Sequence, residues 1–219
     1  MWTAWARLEP RPNCRQMGAE LVILDANPID RAITDAVVDA RNPFATDLAL
    51  VVTAFGSTVV LALVMIAASV GLVSRGHRPE ALLVAAGSVG GYALMVGIKH
   101  LVARPRPPVA DRLLTIDTFS FPSGHAMTSM VVFGLLAVAA HRCSPWVRAH
   151  PLVLVIAPLA SVAIGCTRVY LGVHWTTDVL AGWVLGALWV MLCAWLSRRW
   201  SQRRQWHRRI WPRTARPAR

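Results

Sequence analysis

Residues 48–73 read LALVVTAFGSTVVLALVMIAASVGLV, a stretch with no ionisable side chain. A hydrocarbon core of roughly 30 Å is crossed by about 20 apolar residues in a helix, so this stretch predicts one membrane-spanning helix and sets the fold class. A second span is predicted from 81 to about 100, carrying Gly87, Gly90, Gly91 and Gly97, which let a neighbouring helix approach closely. Three later apolar runs, 126–140, 152–166 and 179–196, reach spanning length only when the polar residues at their ends are included. The reading is an all-α integral membrane bundle of about five transmembrane helices.

Composition agrees. The chain has 219 residues, of which 55% are hydrophobic and 16% charged, enough for one membrane domain. The formal charge of +12 is unevenly placed: nine of the 23 basic residues follow position 197, and seven of the eleven acids precede position 48. Such a gradient is membrane topology rather than a nucleic-acid footprint, and no nucleic-acid partner is expected. The connections 74–80 and 141–150 and the tail after 197 carry arginine, which puts them in the cytoplasm. Segments 101–121 and 168–174 then face outward with the acidic N-terminal part. Arg104, Arg106 and Arg112 in the outer loop run against this rule, and a phosphate-binding role accounts for them.

Residues 1–20 read as a tail without the apolar core of a cleavable signal. In 21–42, Ile29, Ile33, Val37 and Ala40 recur at helical spacing among acids, which fits an N-terminal amphipathic helix at the interface or a solvated helix packed on the bundle. The membrane domain is 21–196, and 197–219 is a basic tail. Its arginine pairs alternate with Trp200, Trp206 and Trp211; the tail fixes topology and suits contact with anionic lipid. Cys14, Cys143, Cys166 and Cys193 are too scattered for a disulfide framework or a zinc site.

Three clusters sit at span ends. Lys99, the only lysine, is followed by Arg106 and Pro107; Pro122 precedes Ser123, Gly124 and His125; Arg168 precedes His174 and Asp178. Ionisable groups at membrane depth are expensive and point to function. A compact ammonium and planar guanidinium forks suit phosphate oxygens. Ser123 and Gly124 open a helix whose free N–H groups and dipole favour an anion, with His125 placed to pass a proton. His174 and Asp178, four apart, share one helix face, the arrangement either of an oriented nucleophilic histidine or of a structural pair. Arg104 with Pro105 reads as interfacial charge. Each cluster alone is weak evidence; together, on one predicted face, they spell phosphoryl transfer.

The set K-x6-R-P, P-S-G-H and R-x5-H-x3-D resembles the type 2 phosphatidic acid phosphatase (PAP2) superfamily, with Thr167 where that family usually has serine before the arginine. The resemblance implies a metal-independent, cofactor-free phosphatase in a bacterial plasma membrane. His174 would attack phosphorus, Asp178 would orient it, and His125 would protonate the leaving group; Lys99, Arg106, Ser123, Gly124 and Arg168 would bind phosphate. Family members typically have six spans, against five and an amphipathic stretch here.

A polyprenyl diphosphate, its headgroup on the outer face, is the first expectation for substrate. Phosphatidic acid or phosphatidylglycerol phosphate, or transfer to an alcohol instead of water, would use the same residues. A transporter or scaffold would carry ionisable groups at mid-span, where 48–73 and 179–196 have none. The haloperoxidases that share such a site are soluble. Oligomeric state is not readable from the sequence.

Overall fold

The computed structural model describes residues 27–210, with side chains through Trp200 and at Gln202. Expectations for 1–26, for Cys14 and for the arginine and tryptophan side chains beyond Trp200 lie outside the described residues. Every regular element described is helical: α1 Pro28–Asp39, α2 Pro43–Ala54, α3 Thr58–Ser74, α4 Arg78–Val102, α5 Gly124–Cys143, a short α6 Pro145–Ala149, α7 Ile156–Tyr170 and α8 Thr176–Ile210, with 3-10 turns at Val109–Asp111 and Pro151–Val155.

Among the described residues, four helical stretches are long and apolar enough to cross a membrane (α4, α5, α7 together with the 3-10 turn before it, and α8 to Trp200), and there are five spans if α2 and α3 count as one broken span bent by 43°. The stretch expected as one straight helix is thus interrupted at Phe55–Ser57. Thr53 and Ala54 accept the backbone N–H groups of Gly56 and Ser57 at 2.9 and 3.1 Å, and the Ser57 hydroxyl then caps α3 by accepting from Val60 N at 3.3 Å. A Cβ on buried Gly56 would run into the Ile164 side chain and come within 3.0 Å of the His125 ring. The break is therefore packed on its Gly56 side against α5 and α7, while Phe55 is turned outward; protein contact is what lets irregular backbone persist at membrane depth.

Exposed Val59, Leu63, Ile66, Val70 and Val73 line one face of α3, and Leu180, Val184, Leu188 and Met191 do so on α8. Apolar stripes turned outward at helical spacing are what a lipid-facing surface requires. Inside, Leu83, Val84, Val131, Leu135 and Ala139 form the core of α4 and α5, with Trp189 of α8 packed against it. The expected close approach is present at Gly87, Gly90 and Gly91, where an added Cβ would lie 2.7–2.9 Å from Leu135, Trp189 or Val131; Gly97 faces open space.

On α1 the expected stripe is only partly covered, Ile33 and Val37 being half-buried. Ile29 is 68% exposed, whereas Asp30 and Thr34 are buried. The helix turns a carboxylate inward, and α1 packs against α7 and α8. Because successive spans run antiparallel, the C-terminal ends of α4 and α7 and the N-terminal ends of α5 and α8 share one end of the bundle. All three sequence clusters lie there.

Candidate active site

His174 sits in the tight turn between α7 and α8, started by Gly172 at φ 69°, a left-handed value suited to glycine. Only 2% of it is exposed. Its Nε2 lies 3.1 Å from Nη1 of Arg106. A guanidinium carries only donors, so Nε2 must be the acceptor, and the ring proton is thereby assigned to Nδ1. Nδ1 is 3.4 Å from the Ser120 hydroxyl and 3.6 Å from Oδ2 of Asp178. Burial, reinforced by the positive charges of Arg106 and Arg168 and opposed by Asp178, pushes the imidazole pKa down to about 3. The ring is neutral at physiological pH, with the Nε2 lone pair directed toward the cations.

Asp178, fully buried in the first turn of α8, divides its oxygens between two sets of partners. Oδ2 accepts the Ser120 hydroxyl and the backbone N–H of Trp175, the latter at 3.0 Å. Oδ1 accepts Nη1 of Arg104 at 2.6 Å. The direct contact with His174 expected from the four-residue spacing is longer than a hydrogen bond, and the Ser120 hydroxyl stands beside both groups.

The cations arrive from three elements. Lys99, near the end of α4, donates to the carbonyls of Phe119 and Pro122 at 2.7 and 3.0 Å. Arg106, in the loop after α4, is braced by Thr118 and by the carbonyls of Phe119 and Val173. Burial and Arg112 lower its pKa to about 10, which leaves it charged at neutral pH. Arg168, near the end of α7 and 2% exposed, donates from Nη1 to the Thr53 hydroxyl at 2.8 Å. All three are within electrostatic reach of the His125 ring. Nε of Arg168 and the hydroxyl of Ser123 are buried without a hydrogen-bond partner. Buried donors of this kind are the exception in native structures and fit an anion-binding pocket. Gly124 has only Met95 near the place of a Cβ, at 3.6 Å, so packing does not require a glycine there.

The structure brings all eight sequence-derived residues to one end of the bundle, and corrects the reading of Arg104. It is not interfacial charge: it is 4% exposed, ion-paired to Asp30 at 2.9 Å and to Asp178 at 2.6 Å, and stacked 6.0 Å from the Trp175 ring centroid. Asp30, Ser120 and Thr177 were likewise not singled out. Thr167 donates its hydroxyl to Ile164 O at 2.6 Å and lines an apolar cavity, so the methyl that distinguishes it from serine is accommodated outside the cluster of cations. Among the described residues, one grouping has metal-ligand character: His77, Glu80 and Cys143, with donor atoms within 4.8 Å of one another. It lies at the other end of the bundle, so a cation held there would be remote from His174.

A sequence model of the PAP2 superfamily matches residues 59–202, which include all three clusters. The chain belongs to the PAP2 superfamily. Phosphatidylglycerophosphatase B of Bacillus subtilis is 32% identical over 160 residues, covering 73% of this chain and 78% of that protein. Decaprenylphosphoryl-5-phosphoribose phosphatase of Mycobacterium tuberculosis is 32% identical over 160 residues, covering 71% and 81%. The crystal structure of a transmembrane PAP2-type phosphatidylglycerolphosphate phosphatase from Bacillus subtilis superposes with a TM-score of 0.75 at 30% identity, covering 82% of this chain and 92% of that one. This PAP2 protein is accordingly an integral membrane enzyme, a phosphatase of lipid phosphates.

Proposed function

We propose that the enzyme hydrolyses a phosphate monoester carried by a membrane lipid through a phosphohistidine at His174. The observation that carries this reading is the Arg106–His174 contact, which fixes the proton on Nδ1 and leaves the Nε2 lone pair among Lys99, Arg106 and Arg168. An incoming phosphate takes over the Arg106 guanidinium and faces Nε2. The Nε2–P bond forms as the P–O bond to the lipid breaks, and His125, neutral in the resting site and protonated once the phosphate anion is bound, gives that proton to the departing oxygen. The positive charge that grows on the imidazole is held through Nδ1–H by Ser120 and Asp178. Water then attacks phosphorus, His125 recovers its proton from that water, and the N–P bond breaks to release phosphate. Lys99, Arg106, Arg168, the Ser123 hydroxyl and the backbone at Gly124 stabilise charge on the equatorial oxygens, the work that phosphoryl transfer chiefly requires.

Charge balance supports a monoester. Lys99, Arg104, Arg106 and Arg168 against Asp30 and Asp178 leave the site at +2, the complement of a phosphate dianion. An apolar cavity of about 640 Å³ between α1, α2, α7 and α8, lined by Ile33, Leu48, Val52, Tyr170 and Trp183, offers room for a lipid chain beside the His174 turn. Phosphatidylglycerol phosphate is the first candidate, supported by the Bacillus relatives. A polyprenyl-linked phosphate is the second, supported by the mycobacterial relative, whose name gives decaprenylphosphoryl-5-phosphoribose. The catalytic end faces outward in this reading, opposite the arginine-rich connections.

The test uses detergent-purified protein in EDTA with three lipids: phosphatidylglycerol phosphate, phosphatidic acid and a polyprenyl diphosphate. Labelled phosphate should be trapped on the wild type under alkaline quench, be absent from His174→Ala, and accumulate on His125→Ala with slow turnover. Label retained by His174→Ala, or release abolished by the chelator, overturns the mechanism. The ranking of the three lipids decides the substrate.

A further inference from the structure

Both terminal nitrogens of Arg104 are engaged within the protein. Nη1 donates to Thr177 Oγ1 at 2.7 Å and to Asp178 Oδ1 at 2.6 Å, and Nη2 donates to Asp30 Oδ2 at 2.9 Å. Arg104 approaches Asp178 from the side opposite His174, because Oδ2 is the oxygen turned to Ser120, Trp175 N and the imidazole. Asp30, fully buried, reaches this point from α1 and also holds the start of α8, since its Oδ1 accepts the backbone N–H of Thr177 at 3.0 Å and its Oδ2 accepts the Thr177 hydroxyl at 2.6 Å. A carboxylate at the first turn of a helix satisfies an otherwise unpaired N–H and complements the dipole. Asp30 therefore supplies to α8 a cap from another helix. Charges alternate along the line Asp30, Arg104, Asp178, with neutral His174 at its end.

We propose that Arg104 and Asp30 are positioning residues for the catalytic carboxylate, so that α1 forms part of the active site and does not merely rest on the bundle. This rests on the roles of Asp178 and His174 given above. Arg104 pins Oδ1, which leaves Oδ2 at a fixed angle to Ser120 and His174 Nδ1, and it offsets the Asp178 charge so that the carboxylate does not draw a second proton onto the imidazole. Asp30 holds Arg104 in turn and tempers its charge. The pair acts on kcat through His174 and leaves phosphate affinity to Lys99, Arg106 and Arg168.

The experiment compares Arg104→Met, Arg104→Lys and Asp30→Asn with wild type in detergent, reading kcat, KM and the pH dependence of phosphoenzyme formation. The groups that set the His174 pKa are Arg106 and Ser120 from the loop before α5, Arg168 from α7 and Asp178 from α8, and they are retained in all three variants. Arg104→Met should lower kcat about 10- to 100-fold, the usual scale for a group that orients a catalytic side chain, with KM changed less than about threefold. An unbalanced Asp178 then favours imidazolium, so the acid limb of the profile moves to higher pH. Arg104→Lys keeps the charge and should leave the limb in place. Asp30→Asn leaves Arg104 less balanced, so the limb must stay or move to lower pH while kcat falls. Titration of the substrate phosphate is common to all and cancels.

A KM rise with kcat unchanged in Arg104→Met would make Arg104 a phosphate ligand and overturn the proposal. Loss of activity in all three in proportion to the folded fraction, with unmoved limbs, would make the network structural only and also overturn it. If Arg104→Met does not fold, a limb shifted upward in Asp30→Asn has the same force. Trapping of label at His174 in the wild type is read separately, so failure of the phosphohistidine mechanism is distinguishable from failure of this proposal.

Discussion

Replacing Thr53 by valine tests whether the broken first span serves the site. Thr53 is in the last turn of α2, buried, and its hydroxyl receives Nη1 of Arg168 at 2.8 Å. Among the described residues that is the one hydrogen bond of the Arg168 side chain, and its Nε has no partner there. Valine keeps the shape and removes the acceptor. A hydrogen bond to a charged group contributes about 1.5–3 kcal/mol, and leaving a buried cation short of a partner costs on that scale. If the guanidinium must be held at this angle to meet the phosphate, the loss falls on substrate capture, and kcat/KM should drop about 10- to 150-fold, carried mainly by KM. Thr53→Ser restores the oxygen and should stay within about threefold of wild type. The assay is steady-state phosphate release from lipid in mixed micelles, with thermal unfolding in detergent as the check on folding. Unchanged kcat/KM in a folded Thr53→Val protein would refute the argument: Arg168 would then be positioned without Thr53, and the bend in the span would have no bearing on the site.

Two other perturbations follow from geometry already given. Gly56→Ala places a methyl against Ile164 and within 3.0 Å of the His125 ring; overpacking of this kind costs about 1–3 kcal/mol, and the displaced ring should slow leaving-group protonation about tenfold or more, measured as accumulation of labelled phosphoenzyme. His174, with a pKa lowered from 6.5 to about 3, takes up a proton in the unfolded chain before it does so in the folded one. Its contribution to stability is therefore full above pH 6.5 and is lost as pH falls from there toward 3, so thermal unfolding of wild type should decline more steeply over that range than that of His174→Gln.

The parts legible in the sequence are those that obey a local rule. Run 48–73 exceeds the hydrocarbon core without a charge and the later runs reach it with the polar residues at their ends, so the spans are legible, and antiparallel connectivity then forces Lys99, Ser123, His125, Arg168, His174 and Asp178 to one end. What escaped is set by chain path. The break at Phe55–Ser57 has no proline, and its signal is a glycine followed by a serine able to cap α3. Arg104 and Arg106 are chemically alike and two residues apart, yet in the loop that follows the left-handed Ala103, at φ 50°, they meet different partners. Arg104 goes inward to Asp178 and Asp30, each 74 residues away, and Arg106 goes to His174. Asp30 is one of several acids on α1, and nothing in the spacing tells that it turns inward while Asp35 and Asp39 stay exposed.

The same distances explain why three buried cations and the half-buried Arg106 can share one end of a bundle without its coming apart. An unpaired charge at membrane depth is costly, and paired charges are tolerated only when their remaining donors are satisfied. Arg104 meets this condition with two carboxylates, Lys99 and Arg106 meet it with backbone carbonyls of the loop they stabilise, and Arg168 meets it only in part. Two of the donors left unsatisfied among the described residues, Nε of Arg168 and the Ser123 hydroxyl, thus lie at the uncompensated +2 of the cluster. Under the proposed function, a phosphate dianion bound there would supply both acceptors and negative charge. Phosphate or a stable analogue should therefore raise the unfolding temperature of the wild type, and do so far less in Arg168→Gln; equal shifts in both would separate the buried donors from the ligand site.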